Sequence, residues 1–108
     1  MLAQVRAFFE THGASRFEYL ASDQDQRIPN RAGFYRNGEA GQREFLVLSE
    51  AFRREVCQDF DPKTVVRALV SAGWLALDGG KPQRRERLPG LGRVRCYVFT
   101  SRMWEDES

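Results

Sequence analysis

The chain is poor in the side chains that surface chemistry draws on: its 108 residues include one histidine, His12, and two cysteines, Cys57 and Cys96. A nucleophile with its base, or a metal cage, needs a richer set of such groups at fixed spacing, so no catalytic or metal constellation is expected and no cofactor is implied. Both cysteines fall on apolar stripes and read as small buried hydrophobes. His12, beside Gly13, reads as a helix-end residue that favours the negative end of the dipole when protonated. No apolar run approaches the roughly 18 residues that span a bilayer. "MLAQVRAFFETHG" is amphipathic, without a charged leader or a small-residue cleavage site. The expected compartment is therefore the cytoplasm, with reduced thiols, and no membrane partner. Linkers rich in Gly, Ser or Pro, internal repeats and low-complexity tracts are also lacking, which leaves a single domain over 1–108. A P-loop pattern is absent, and the "GLG" of 90–92 is a fragment of a dinucleotide fingerprint placed where a hairpin turn belongs.

Charge is present, and it is concentrated. "GGKPQRRERLPGLGRVR", residues 79–95, holds six basic residues against the single acid Glu86, a surplus of five in a chain whose formal net charge is only +2. The rest of the sequence is thus net acidic. A local basic segment is either a solvated face or a surface for a polyanion.

Periodicity predicts the elements around it. Leu2, Val5, Phe8 and Phe9 form a helical stripe that Gly13 stops. "SRFEYL" alternates as a short strand, and "ASDQDQRIPN" reads as a polar loop whose Asp23 and Asp25 are solvated charge. "RAGFYRNGEAGQREFLVLS", residues 31–49, reads as a hairpin around Asn37-Gly38 and Gly41, with a second strand, Phe45 to Leu48, apolar on both faces and so covered on both sides. Ser49 is a candidate N-cap for a helix carrying Phe52 and Val56 inward and ending near Gln58, with Arg53 and Arg54 pointing elsewhere.

The strongest local signal is "FDPKTVVRALVSAGWL". Asp61 caps, with Asp59 as turn charge, Pro62 fits the first helical position, and Gly73 ends a helix whose buried stripe is Val65, Val66, Leu69 and Val70. Two short helices joined tightly, then a strand at 74–77 and a basic hairpin, follow the order of a winged helix-turn-helix. The expected fold is accordingly α+β: one winged-helix-like domain with an extra N-terminal helix and small antiparallel strands. Residues 1–48 supply the first helix and hairpin, 49–73 the helix-turn-helix, 74–100 the wing strands and 101–108 a tail in which Trp104 frays or docks on the core. The wing's arms are 81–88 and 93–99, with 89–92 as its turn.

Nucleic-acid binding then has named candidates. Lys63, Arg67 and Ser71 share the helix stripe opposite the apolar face, where a recognition helix meets the major groove. Lys81, Arg84, Arg85, Arg87, Arg93 and Arg95 charge the wing, and Arg93, Arg95 and Tyr97 share a strand face that suits phosphate contact with stacking. Winged helices also serve as protein-interaction modules, so a docking or oligomerisation role, using the helices and the aromatics Phe17, Tyr19, Phe34 and Tyr35, stands beside it.

One resemblance joins these readings. "RIPNRAGFYR", "REFLVLSEAFRREVC", "FDPKTVVRALVSAGWLALDGGK" and "RRERLPGLGRVRCYVF", in this order, resemble the C-terminal module of large bacterial ATPases of unknown function. Those proteins are similar to primase-helicases and are often carried on integrative or conjugative elements and prophages. The resemblance spans 27–99, with the helix and strand of 2–20 as lead-in. It implies an accessory domain of a replication or transfer ATPase, here as a fragment or a stand-alone relative, with DNA or the ATPase core as partner. The ATPase core itself is outside this sequence, so ATP hydrolysis does not carry over, and no site residue transfers.

Overall fold

A computed structural model describes residues 1–20, 30–38 and 41–104. The polar loop with Asp23 and Asp25, and the acidic end of the tail, lie outside the described residues. Among the described residues three helices pack on one five-stranded sheet in a mixed α+β arrangement. The helices are α1 (Leu2–His12), α2 (Ser49–Ala51, continuing as a π-turn over Phe52–Val56) and α3 (Pro62–Ala72). The strands are β1 (Phe17–Tyr19), β2 (Gly33–Asn37), β3 (Arg43–Leu48), β4 (Arg84–Leu88) and β5 (Gly92–Phe99), in the spatial order β1-β2-β3-β5-β4.

The central place of β3 explains its composition. It pairs antiparallel with β2 on one side and β5 on the other, and Phe45, Leu46 and Val47 are all buried because both sheet faces are covered there. On the helix side, Phe45, Val47 and Phe99 pack with Phe9, Phe17, Phe52, Val65 and Leu69. On the other side, Phe34, Leu46, Leu88, Cys96 and Val98 make a second, smaller cluster. Gly33 is needed where β2 crosses β3, since a Cβ there would lie 2.0 Å from the Leu46 carbonyl oxygen.

Helix α3 forms as its local signals require. The Asp61 carboxylate accepts a hydrogen bond from the Thr64 backbone N–H at 3.2 Å, Pro62 occupies the first turn, and Gly73 takes the left-handed conformation at φ 76. Val65 and Leu69 are fully buried. Val70, expected beside them, is 38% exposed. At about 100° of rotation per residue, position 70 falls on the far edge of the stripe that 65 and 69 centre, next to Arg67 rather than Leu69.

Four other expectations are corrected. Strand β1 runs parallel to β2, so the sheet is mixed rather than antiparallel throughout. Residues 74–77 form no strand, only the bridge Leu75↔Phe99, while the first wing arm begins at Arg84 because 78–81 closes a turn of its own. Gly13 sits in a right-handed conformation, φ −61, and is buried, so its small size and not a left-handed φ is what the site uses. Ser49 makes no cap hydrogen bond, and α2 widens into its π-turn where Phe52 stacks on Tyr97 at 3.9 Å between ring centroids. The carbonyls left at the end of that turn, Val56 and Cys57, accept hydrogen bonds from the Gln4 side-chain amide at 3.2 and 2.9 Å. The tail docks: Met103 is buried and Trp104 meets Phe45 edge-on at 6.2 Å.

Candidate nucleic-acid interface

Strands β4 and β5 form a hairpin closed by 89–91, with Gly90 and Gly92 at φ 78 and 73. Because side chains alternate across a strand, its basic residues divide by face. Arg85 pairs directly across from Arg95, and Arg87 from Arg93. These four arginines therefore share one face, the same one on which Tyr97 and Phe99 meet the helices further along β5. Arg85, Arg87, Arg93 and Arg95 are all exposed, and none forms an ion pair among the described residues. Like charges directly opposite cost on the order of 0.2–1 kcal/mol per pair in the free protein. Two such pairs stand in succession here.

Arg84 belongs to the opposite face. Its Nε lies 3.3 Å from Glu86 Oε2, and Glu86 Oε1 in turn lies 3.6 Å from Arg36 Nη1, whose guanidinium also holds Glu44 at 3.1 Å through Nε. These four side chains lie on the side of the sheet that holds the Leu46, Cys96 and Val98 cluster, and Arg84 is a neutralised member of that network. Arg84, expected among the wing's nucleic-acid contacts, does not join the cationic face, because neighbouring strand residues point opposite ways.

On α3, Lys63, Arg67 and Ser71 lie on the exposed face as expected, with the cations free of carboxylate partners among the described residues. Lys81 stands at the root of the hairpin, on a turn closed by reciprocal Asp78 and Lys81 backbone hydrogen bonds of 2.9 and 3.0 Å. Arg53, set aside in the sequence reading, belongs with this surface. It is exposed, it follows the Phe52 that stacks on Tyr97, and its charge draws the Tyr97 hydroxyl partly back from the rise that burial imposes. Its effect on Tyr97 identifies it; nothing in the spacing of "FRREV" does.

By contrast, several arginines elsewhere are paired with carboxylates. Arg16 makes a bidentate pair with Glu55 at 2.7 and 2.6 Å and also donates to the Asn30 carbonyl. Arg31 pairs with Glu18 at 3.0 Å and lies over the Phe34 ring, and Arg54 pairs with Glu50 at 3.3 Å. The Arg16 hydrogen bonds hold the Glu55 carboxyl below the usual carboxylate range.

The thiols offer no nucleophile at neutral pH. Cys57 and Cys96 are fully buried, and burial first, then a nearby carboxylate, Asp61 and Glu86 respectively, pushes each up to about 11. His12 packs against Phe8 with ring centroids 5.0 Å apart. Among the described residues no three His, Cys, Asp or Glu side chains gather as a metal site, and no helix is long and apolar enough to cross a membrane. Of the four aromatics expected on a docking surface, Phe17 and Phe34 are buried, Tyr35 is half-buried and Tyr19 alone is exposed. Compared with known proteins, the chain matches no family model, no curated protein and no solved structure.

Proposed function

We propose that this chain is a non-enzymatic DNA-binding domain of the winged helix-turn-helix kind, with α2 and α3 as the helix pair and the β4–β5 hairpin as the wing. The connectivity supports the architecture: β3 leads into α2, a short turn leads into α3, and the chain returns through β4 and β5 so that β5 lies between β3 and β4. The observation that carries the function is the face of the hairpin, where Arg85, Arg95, Arg87 and Arg93 oppose one another without an ion pair among the described residues while Arg84 and Arg36 on the other face are neutralised. In this reading the wing follows phosphates and sets register, and Arg67 with Lys63 and Ser71 on α3 meets base edges. The resemblance to the accessory module of mobile-element replication or transfer ATPases agrees with that role and names the setting in which it acts.

The test is a duplex-DNA titration across salt. Each phosphate neutralised releases counterions, so log K falls with log[salt] at about −0.9 per contact, or about −4 for the four wing arginines alone. Absence of affinity at about 50 mM salt would reject DNA as the partner and leave the docking-module reading in its place.

A further inference from the structure

At the root of the hairpin, Asp78, Lys81, Pro82, Gln83, Arg85 and Arg95 line a cleft of about 270 Å³. We propose that this cleft seats a phosphate monoester, and that its ligand is the terminal phosphate of a nucleic-acid strand. The proposal rests on the DNA-binding reading and adds to it a specific place for a strand end.

The backbone around the cleft, and the Gln83 side chain, are held before any ligand arrives. Lys81 sits on a two-glycine turn, Gly79 at φ 58 and Gly80 at φ 84, closed by the reciprocal hydrogen bonds with Asp78. The Gln83 side-chain amide donates to Ser49 Oγ at 2.6 Å, and that hydroxyl donates to the Arg95 carbonyl at 3.2 Å, which ties the cleft wall to the start of α2. Arg85 and Arg95 are fixed opposite each other by the strand register. The backbone that carries these donors is therefore set before an anion arrives.

Charge selects the kind of phosphate. Lys81, Arg85 and Arg95 bring three positive charges and Asp78 one negative, and none of the four forms an ion pair among the described residues. The surplus of two matches a monoester, which carries about −1.5 to −2 near pH 7 with a second pKa of about 6. An internal diester carries a single charge and leaves half of that surplus unmet. The volume corresponds to about nine waters' share of the liquid, enough for a phosphate and the sugar attached to it. The exposed arginines further out, Arg87 and Arg93, then lie along the hairpin for the diesters that follow.

The experiment compares single strands of one sequence carrying a 5′-phosphate, a 3′-phosphate or hydroxyls at both ends, binding to the intact protein by fluorescence anisotropy at low salt. One phosphorylated end should bind about tenfold more tightly than the hydroxyl strand at pH 7.5, as expected for added charge-assisted hydrogen bonds. The advantage should shrink at pH 5, where the monoester loses its second charge. Lys81→Ala and Gln83→Ala should each remove most of the advantage while the hydroxyl strand still binds. Inorganic phosphate should erase the preference before it erases binding. Equal affinity for all three strands, or an advantage that survives Lys81→Ala, overturns the seat and leaves the DNA reading intact. A mononucleotide that binds as tightly as the phosphorylated strand overturns the strand end as its source. Failure of every single strand to bind overturns the seat, while the DNA reading stands or falls on the duplex titration.

Discussion

Replacing two adjacent residues of α3 measures how that helix is rolled on the sheet, and with it which side chains face outward. Leu69 is fully buried in the cluster that also holds Val5, Val65 and Trp74, whereas Val70 is 38% exposed beside Arg67. Leu69→Ala removes three buried carbon atoms from a packed site and leaves a cavity, at a cost of about 2–5 kcal/mol. Against a total stability of about 5–15 kcal/mol for a domain of this kind, that loss is large. At roughly 4 °C per kcal/mol it lowers the melting temperature by about 8–20 °C. Val70→Ala gives up a half-solvated contact and gains helix propensity, so it should stay within about 0.5 kcal/mol, or about 2 °C. Thermal melts followed by circular dichroism at 222 nm read both. A Val70→Ala variant as destabilised as Leu69→Ala refutes the roll, and with it the outward placement of Arg67.

Other outcomes follow from the same structure. Asp61→Ala removes the cap of α3 and should cost about 1 kcal/mol by urea unfolding, with the slope of the transition unchanged; no loss means the cap is idle. Both thiols have folded values raised above the unfolded 9.0, so the stability they lend is complete below pH 9 and is lost as pH rises towards 11, and native protein should resist thiol reagents at pH 8 until it unfolds. Rapid labelling of either cysteine contradicts its burial. Glu55 is shifted the other way, below 4.5, so the stability from its pair with Arg16 is present above that value and drains as pH falls through the lowered one. Glu55→Gln should therefore flatten the acid limb of the stability curve, and an unaltered limb counts against the pair.

How far the sequence discloses this fold depends on whether the signal is local. Asp61 caps the Thr64 N–H three residues on, and Pro62 and Gly73 act through their own backbone, so the ends of α3 are legible, and Asn37-Gly38 with Gly41 announces the β2–β3 hairpin because those signals too are local. Alternation along β1 reveals a strand but carries no information about the direction of its neighbour, which is why the parallel pairing with β2 was not legible. The π-turn of α2 depends on Phe52 meeting Tyr97 and on Gln4 reaching two carbonyls from another helix, contacts that sequence spacing does not record. In the candidate site, the basic segment was visible as a sum of charges, but its division between faces was not. Arg84 differs from Arg85 only in strand parity, and its neutral standing depends on Arg36 and Glu86 brought together by the sheet.

That division is also where the account is most exposed to test. Salt-dependent DNA titrations of Arg87→Ala/Arg93→Ala and of Arg84→Ala, beside the parent protein, remove charge from the two faces of one hairpin. The double variant should lose affinity for all sequences alike, flatten the log K against log[salt] slope by about 1–2 units and melt no lower than the parent. Arg84→Ala should keep the parent slope. Equal losses from both faces, or a double variant with an unchanged slope, would show that the arginine face is a solvated surface and not a DNA interface.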